Sequence, residues 1–167
     1  MKHILGIIDT LSEWSGKAFS VLILFIIAIL LYEVTMRYLF GNPTIWAHET
    51  SQHMFGAYAM MSGAYILLKR QHIRIDILYD HLSSRAKAGV DLFTYLLFFL
   101  FIGVIMTFGW QMAWHSMQIG EISNTTFHPL LYPVKLTIPI GAFLMLLQGL
   151  AHFLRSLIMA TQGKELA

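Results

Sequence analysis

Residues 18–40 read AFSVLILFIIAILLYEVTMRYLF, an apolar run whose charges, Glu33 and Arg37, come only toward its end. A hydrocarbon core of roughly 30 Å is crossed by about 20 helical residues. Inside that core each backbone N–H and C=O needs a partner within the segment, so a run of this length has to be a helix. Working outward, comparable runs cover 50–68, 90–112 and 134–158. The 167-residue chain is 57% hydrophobic and 12% charged, against roughly 25% charged residues in a soluble domain. The reading is an all-α integral membrane protein: one four-helix transmembrane domain over 1–167, in contact with the lipid bilayer and with no nucleic-acid partner.

Charge distribution sets the topology. Lys2 and Lys17 precede the first run, Lys69, Arg70, Arg74, Arg85 and Lys87 lie in or beside the 69–89 loop, and Arg155 and Lys164 fall at the C-terminal end. Only Arg37 and Lys135 remain for the other side, so the positive-inside rule puts both termini and the middle loop in the cytoplasm. The first run is too long for a cleavable leader and is expected to be retained. The absence of cysteine removes disulfides and thiolate metal sites from consideration.

Ahead of the first span, Ile4, Ile8, Leu11, Trp14 and Ala18 recur at helical spacing, with Asp9, Ser12, Glu13 and Lys17 on other faces. This predicts a short amphipathic interfacial helix. Gly41-Asn42-Pro43-Thr44 is a helix stop that makes spans one and two an antiparallel hairpin. Trp46, Trp110 and Trp114 sit where an aromatic belt belongs. Pro129, Pro133 and Pro139 punctuate the approach to the last span, and Pro139-Ile140-Gly141 is expected to kink or restart its helix.

No pattern supports an enzyme. His48 and His53 bracket Glu49 like a zinc-protease helix, but five residues turn a helix by about 500°, leaving the imidazoles about 140° apart. His53 and His152 lie toward opposite ends of the spans, which disfavours a haem pair. The ten methionines are dispersed as packing residues would be. No catalytic, cofactor or metal residues are assigned.

Ionisable residues within a span are costly and usually face a partner or water. Glu33 and Arg37 stand one turn apart, acid first, which favours a local pair. Arg37 and Glu49 are also equidistant from the hairpin tip, which raises a second possibility, a clasp between the two helices. Along span two, Glu49, Gly56 and Gly63 repeat every seven residues. Together with Gln52 and Met60 they form a candidate subunit packing face.

Arg37-Tyr38-Leu39-Phe40-Gly41, Trp46-Ala47-His48-Glu49, His72-Ile73-Arg74-Ile75-Asp76 and Pro139-Ile140-Gly141, in this order on a four-span chain, resemble the small membrane subunit of tripartite ATP-independent periplasmic (TRAP) transporters, the DctQ-type Q subunit. The motif positions are Arg37, Trp46, Glu49, His72, Asp76, Pro139 and Gly141. Lys69-Arg70-Gln71 lacks a glycine that many relatives carry before the histidine. The resemblance implies a bacterial inner-membrane, multi-pass scaffold subunit in sodium-coupled uptake of an organic acid. Its implied partners are a large elevator-type M subunit, which would hold the sodium ions and substrate, and a periplasmic substrate-binding protein. This chain itself would hold no cofactor. The loops from Gly41 to Glu49 and from Ser116 to Tyr132 become candidates for docking the binding protein, through Glu49 and Glu121.

Two rival readings belong to other classes. A stand-alone proton-coupled multidrug exporter would use Glu33, but Arg37 beside it and the basic middle loop fit that poorly. A membrane anchor or electron-transfer subunit is the other. The residues do not name a substrate.

Overall fold

The computed structural model describes residues 2–69 and 84–162. The chain forms α1 (Lys2–Ser20), α2 (Leu22–Tyr38), α3 (Ala47–Leu68), α4 (Ser84–Gln118) and α5 (Tyr132–Gln162). Only Val21 separates α1 from α2. His72 and Asp76, and most of the predicted 69–89 loop, lie outside the described residues.

Among the described residues three helical stretches are long and apolar enough to cross a membrane: Leu5–Tyr38, Phe93–Gln118 and Tyr132–Arg155. The 22 residues of α3 reach about 33 Å, also a bilayer's width. Its first two turns, however, carry His48, Glu49, Thr50, Ser51, Gln52 and His53, and these leave it less apolar than the others.

Contacts fix the directions of the helices. Gly56 lies near Val134, Met60 near Gly141 and Gly63 near Met145, so α3 and α5 run parallel. Gly109 lies by Ile138 and Gly149 by Phe98, which makes α4 antiparallel to α5. Ser12 bonds Gln148 and Asp9 bonds Arg155, so α1 is antiparallel to α5 as well. The start of α1 and the last turns of α5 therefore share one end of the bundle, and the 39–46 and 119–131 loops share the other.

Leu5, Ile26, Met61 and Ile102 are buried, but most of the bundle's covered residues are small or polar and most of its large apolar residues are exposed. Ala64, Ala113, Ala142, Ala151 and Gln148 are fully covered, while Leu24, Leu31, Phe93, Leu100, Phe101 and Phe108 are more than half exposed. Small side chains let helix backbones approach closely, as helices packing in lipid require. At Gly141 the neighbour is backbone: a Cβ there would stand 2.5 Å from the Met60 carbonyl oxygen.

Two elements depart from the sequence reading. The predicted interfacial helix packs upright against α3 and α5, because Asp9 and Ser12 find partners on α5. α5 is continuous through Pro139, so of the two expected outcomes, a kink or a restart, the restart does not occur. Pro133, one residue into α5, sits where the missing N–H removes no helical bond.

Candidate functional site

The end of the bundle holding the 39–46 and 119–131 loops gathers most of the residues the sequence singles out. After α2 ends at Tyr38 the chain turns at Gly41, whose φ of 63° is a left-handed conformation that glycine adopts without a Cβ clash. The chain then turns back over Glu33, which is 7% exposed. One carboxylate oxygen accepts from Arg37 Nε at 3.0 Å and Nη2 at 2.5 Å. The other accepts the Thr44 backbone N–H at 3.0 Å and the Thr44 hydroxyl. Glu33 thus ties the hairpin loop to α2, and Trp46 stacks on Tyr32 with ring centroids 6.0 Å apart. The alternative clasp between Arg37 and Glu49 does not form. Arg37 reaches Glu33 along its own helix one turn away, and Glu49 is engaged elsewhere.

Glu49, also 7% exposed, accepts from the Thr125 hydroxyl, 76 residues along the chain. Thr125 belongs to a compact loop. Gly120, at φ 59°, follows the end of α4, and the Gly120 and Glu121 N–H groups bond back to Met117 and Ser116, a Schellman-type helix end. An isolated bridge joins Ile122 to Leu130, Ser123 N–H donates to the Pro129 carbonyl at 2.9 Å, and Leu131 N–H donates to the Glu121 carbonyl at 2.9 Å. His128, at φ 51°, holds its Nδ1 2.9 Å from the Ser123 carbonyl oxygen. Glu121 forms an ion pair with Lys135 at the start of α5. That ammonium holds the Glu121 carboxyl below the usual carboxylate range.

Both docking candidates change meaning. Glu49 is buried beneath the loop it fastens, so it supports the surface and is no part of it. Glu121 is partly exposed, but its charge is matched by Lys135. The expected packing face also divides. Gly56, Met60 and Gly63 face α5 within the chain, and only Gln52 points outward, 3.1 Å from His48 Nε2. Gly141 and Pro139 are buried against neighbouring helices.

At the opposite end lies a polar cluster that sequence reasoning missed. Gln148 is fully buried; its carbonyl oxygen accepts from Ser12 Oγ at 2.8 Å and its amide donates to Asp9 Oδ1 at 3.1 Å. Arg155 grips Asp9 through both nitrogens, at 3.2 and 2.5 Å, and His152 Nε2 lies 3.1 Å from the Leu67 carbonyl oxygen. The available signal was Asp9 and Arg155 together, opposite charges that the inferred topology assigns to the same end.

Among the described residues, Asp9, Glu33 and Glu49 are carboxylates set into the bundle, and each is engaged by groups of this chain. Such contacts brace helices and loops. Among the described residues no three His, Asp or Glu side chains gather into a metal-binding group.

The sequence is similar to known proteins. The sequence model of the family described as "Tripartite ATP-independent periplasmic transporters, DctQ component" matches residues 26–158. The sialic acid TRAP transporter small permease protein SiaQ of Vibrio cholerae is 28% identical over 89 residues, 53% of this chain and 51% of that protein. The sialic acid TRAP transporter permease protein SiaT of Haemophilus influenzae is 28% identical over 102 residues, 61% of this chain and 16% of that one. The matched stretch thus spans about half the length of the first relative and a minor part of the second.

Proposed function

Given that this chain belongs to the DctQ component family of tripartite ATP-independent periplasmic transporters, we propose that it acts as the immobile scaffold of a sodium-coupled organic-acid uptake system. It is not an enzyme. In this reading all four membrane-length segments cross the bacterial inner membrane, α3 included, with both termini in the cytoplasm and the 39–46 and 119–131 loops in the periplasm. A large permease subunit carries substrate and sodium, and a periplasmic binding protein delivers the substrate.

The observation that carries the scaffold role is the engagement of three carboxylates set into the bundle by the chain itself. Glu33 is held by Arg37 and Thr44, Glu49 by Thr125, and Asp9 by Arg155 and Gln148. A carboxylate that exchanges protons or cations has to be released in each cycle, whereas these fasten loops and helices in place. This also counts against an exporter working through Glu33. The match to a minor part of a longer permease supports a larger membrane partner. The α3 first turns are accommodated in a membrane because Glu49 is covered by the periplasmic loop and Ser51 bonds the Ala47 carbonyl at 2.8 Å.

Co-expression with the large permease subunit of the same system tests the reading. Affinity purification through this chain is expected to retain the large subunit at a fixed ratio in mild detergent. Recovery of the chain alone, well folded, would contradict it.

A further inference from the structure

Apart from Leu5, which is 4% exposed, helix α1 is built inside out. Ile7, Leu11 and Trp14 are 50%, 46% and 70% exposed, while Ser12 and Ser15 are 1% and 4% exposed. The buried polar groups find partners on the two helices beneath: Ser12 and Asp9 on Gln148, Asp9 also on Arg155, and Ser15 Oγ 3.4 Å from the Met61 carbonyl oxygen. Parted from α3 and α5, the same helix would present an apolar face to the acyl chains and a polar face to water, the arrangement of an interfacial helix. Both environments satisfy its polarity. Val21, the one residue between α1 and α2, keeps helical dihedrals (φ −62°, ψ −28°), so the upright position needs no turn in the chain, and the surface position requires a bend at this junction.

We infer that α1 is a two-position strap: a surface helix until α5 is in place, then locked upright on α3 and α5 by Asp9–Arg155 and Ser12–Gln148. The order of synthesis makes this a real sequence of states, because the lock residues Gln148 and Arg155 follow α1 by more than a hundred positions. Until they arrive, Asp9 has no cation on α5 to meet, and water at the membrane surface is the cheaper place for a carboxylate. The inference rests on the bundle being embedded in a membrane and is independent of what the assembly transports.

The chain contains no cysteine, so a single introduced thiol reports position in the full-length protein. N-Ethylmaleimide reacts with the thiolate and therefore with a hydrated site. Ser15→Cys marks the buried face of α1, and Ala113→Cys marks a fully covered position on α4. In native membranes Ser15→Cys is expected to label slowly. Arg155→Asp should accelerate it at least about tenfold, because it turns a partly buried ion pair into two like charges side by side. The milder Arg155→Gln and Gln148→Leu should move it the same way, and the exchange Asp9→Arg with Arg155→Asp should restore protection. Ala113→Cys should stay protected throughout. Unchanged labelling at Ser15→Cys in Arg155→Asp would overturn the strap. So would failure of the exchange to restore protection, or simultaneous exposure of Ala113→Cys, since α1 would then be inseparable from the bundle.

Discussion

At the scale of single residues, Glu33 and Glu49 act as fasteners, and their substitutions should behave accordingly. Glu33→Ala strips a partner from the Thr44 N–H and from Arg37, so thermal unfolding in detergent should occur a few degrees lower. Glu33→Gln keeps an acceptor for Thr44 and should lose less. Glu49→Ala and Glu49→Gln should rank in the same order, and equal melting of Glu33→Ala and the parent chain would refute the fastening. Glu121 adds a pH dependence. Its folded pKa is depressed by Lys135, so its contribution is present above its unfolded pKa and is lost as pH falls through the folded value. The melting advantage of the parent chain over Glu121→Gln should hold at neutral pH and shrink below about pH 4.3. The Glu33–Arg37 pair was one of two readings that spacing offered, because i, i+4 neighbours meet on any helix. The partner of Glu49 was not legible: Thr125 is brought to it by a loop whose course depends on Gly120, His128 and a one-residue bridge.

At the scale of helices, the seven-residue stripe on α3 marks a close-packed face, and its neighbour is α5. Gly141 and Gly63 separate two costs of adding a methyl group there. A Cβ at Gly141 meets the Met60 backbone carbonyl, which moves only if a helix moves; one at Gly63 meets the Met145 thioether at 2.6 Å, which can turn aside. Gly141→Ala should therefore destabilise by about 1–3 kcal/mol, measured by thermal or denaturant unfolding in detergent, and Gly63→Ala by clearly less. Equal effects would contradict the packing. Periodicity made the face visible but not its occupant, because small residues suit an internal helix and a separate subunit alike. The amphipathicity of α1 was legible too, while its orientation was inverted by Gln148, a residue that hydropathy treats as an ordinary polar interruption.

At the scale of the whole molecule, long apolar runs and the placement of lysine and arginine carried the reading, since the bilayer imposes length and the charge rule imposes sidedness. The contacts agree on one point of that topology, with the start of α1 and the last turns of α5 at the same end of the bundle. A thiol at exposed Thr126 should react from the periplasm, and one placed before Lys2 only after the membrane is breached; the reverse would invert the topology. Binding a permease that does the carrying is a property no single chain displays. Reconstitution tests it most directly. Proteoliposomes with an inward sodium gradient are supplied with the cognate binding protein, loaded with the organic acid that it retains, and contain the large permease subunit with or without this chain. Uptake should need both membrane proteins and survive Glu33→Gln in this chain. Equal uptake without this chain, or transport by this chain alone that Glu33→Gln abolishes, would contradict the scaffold account.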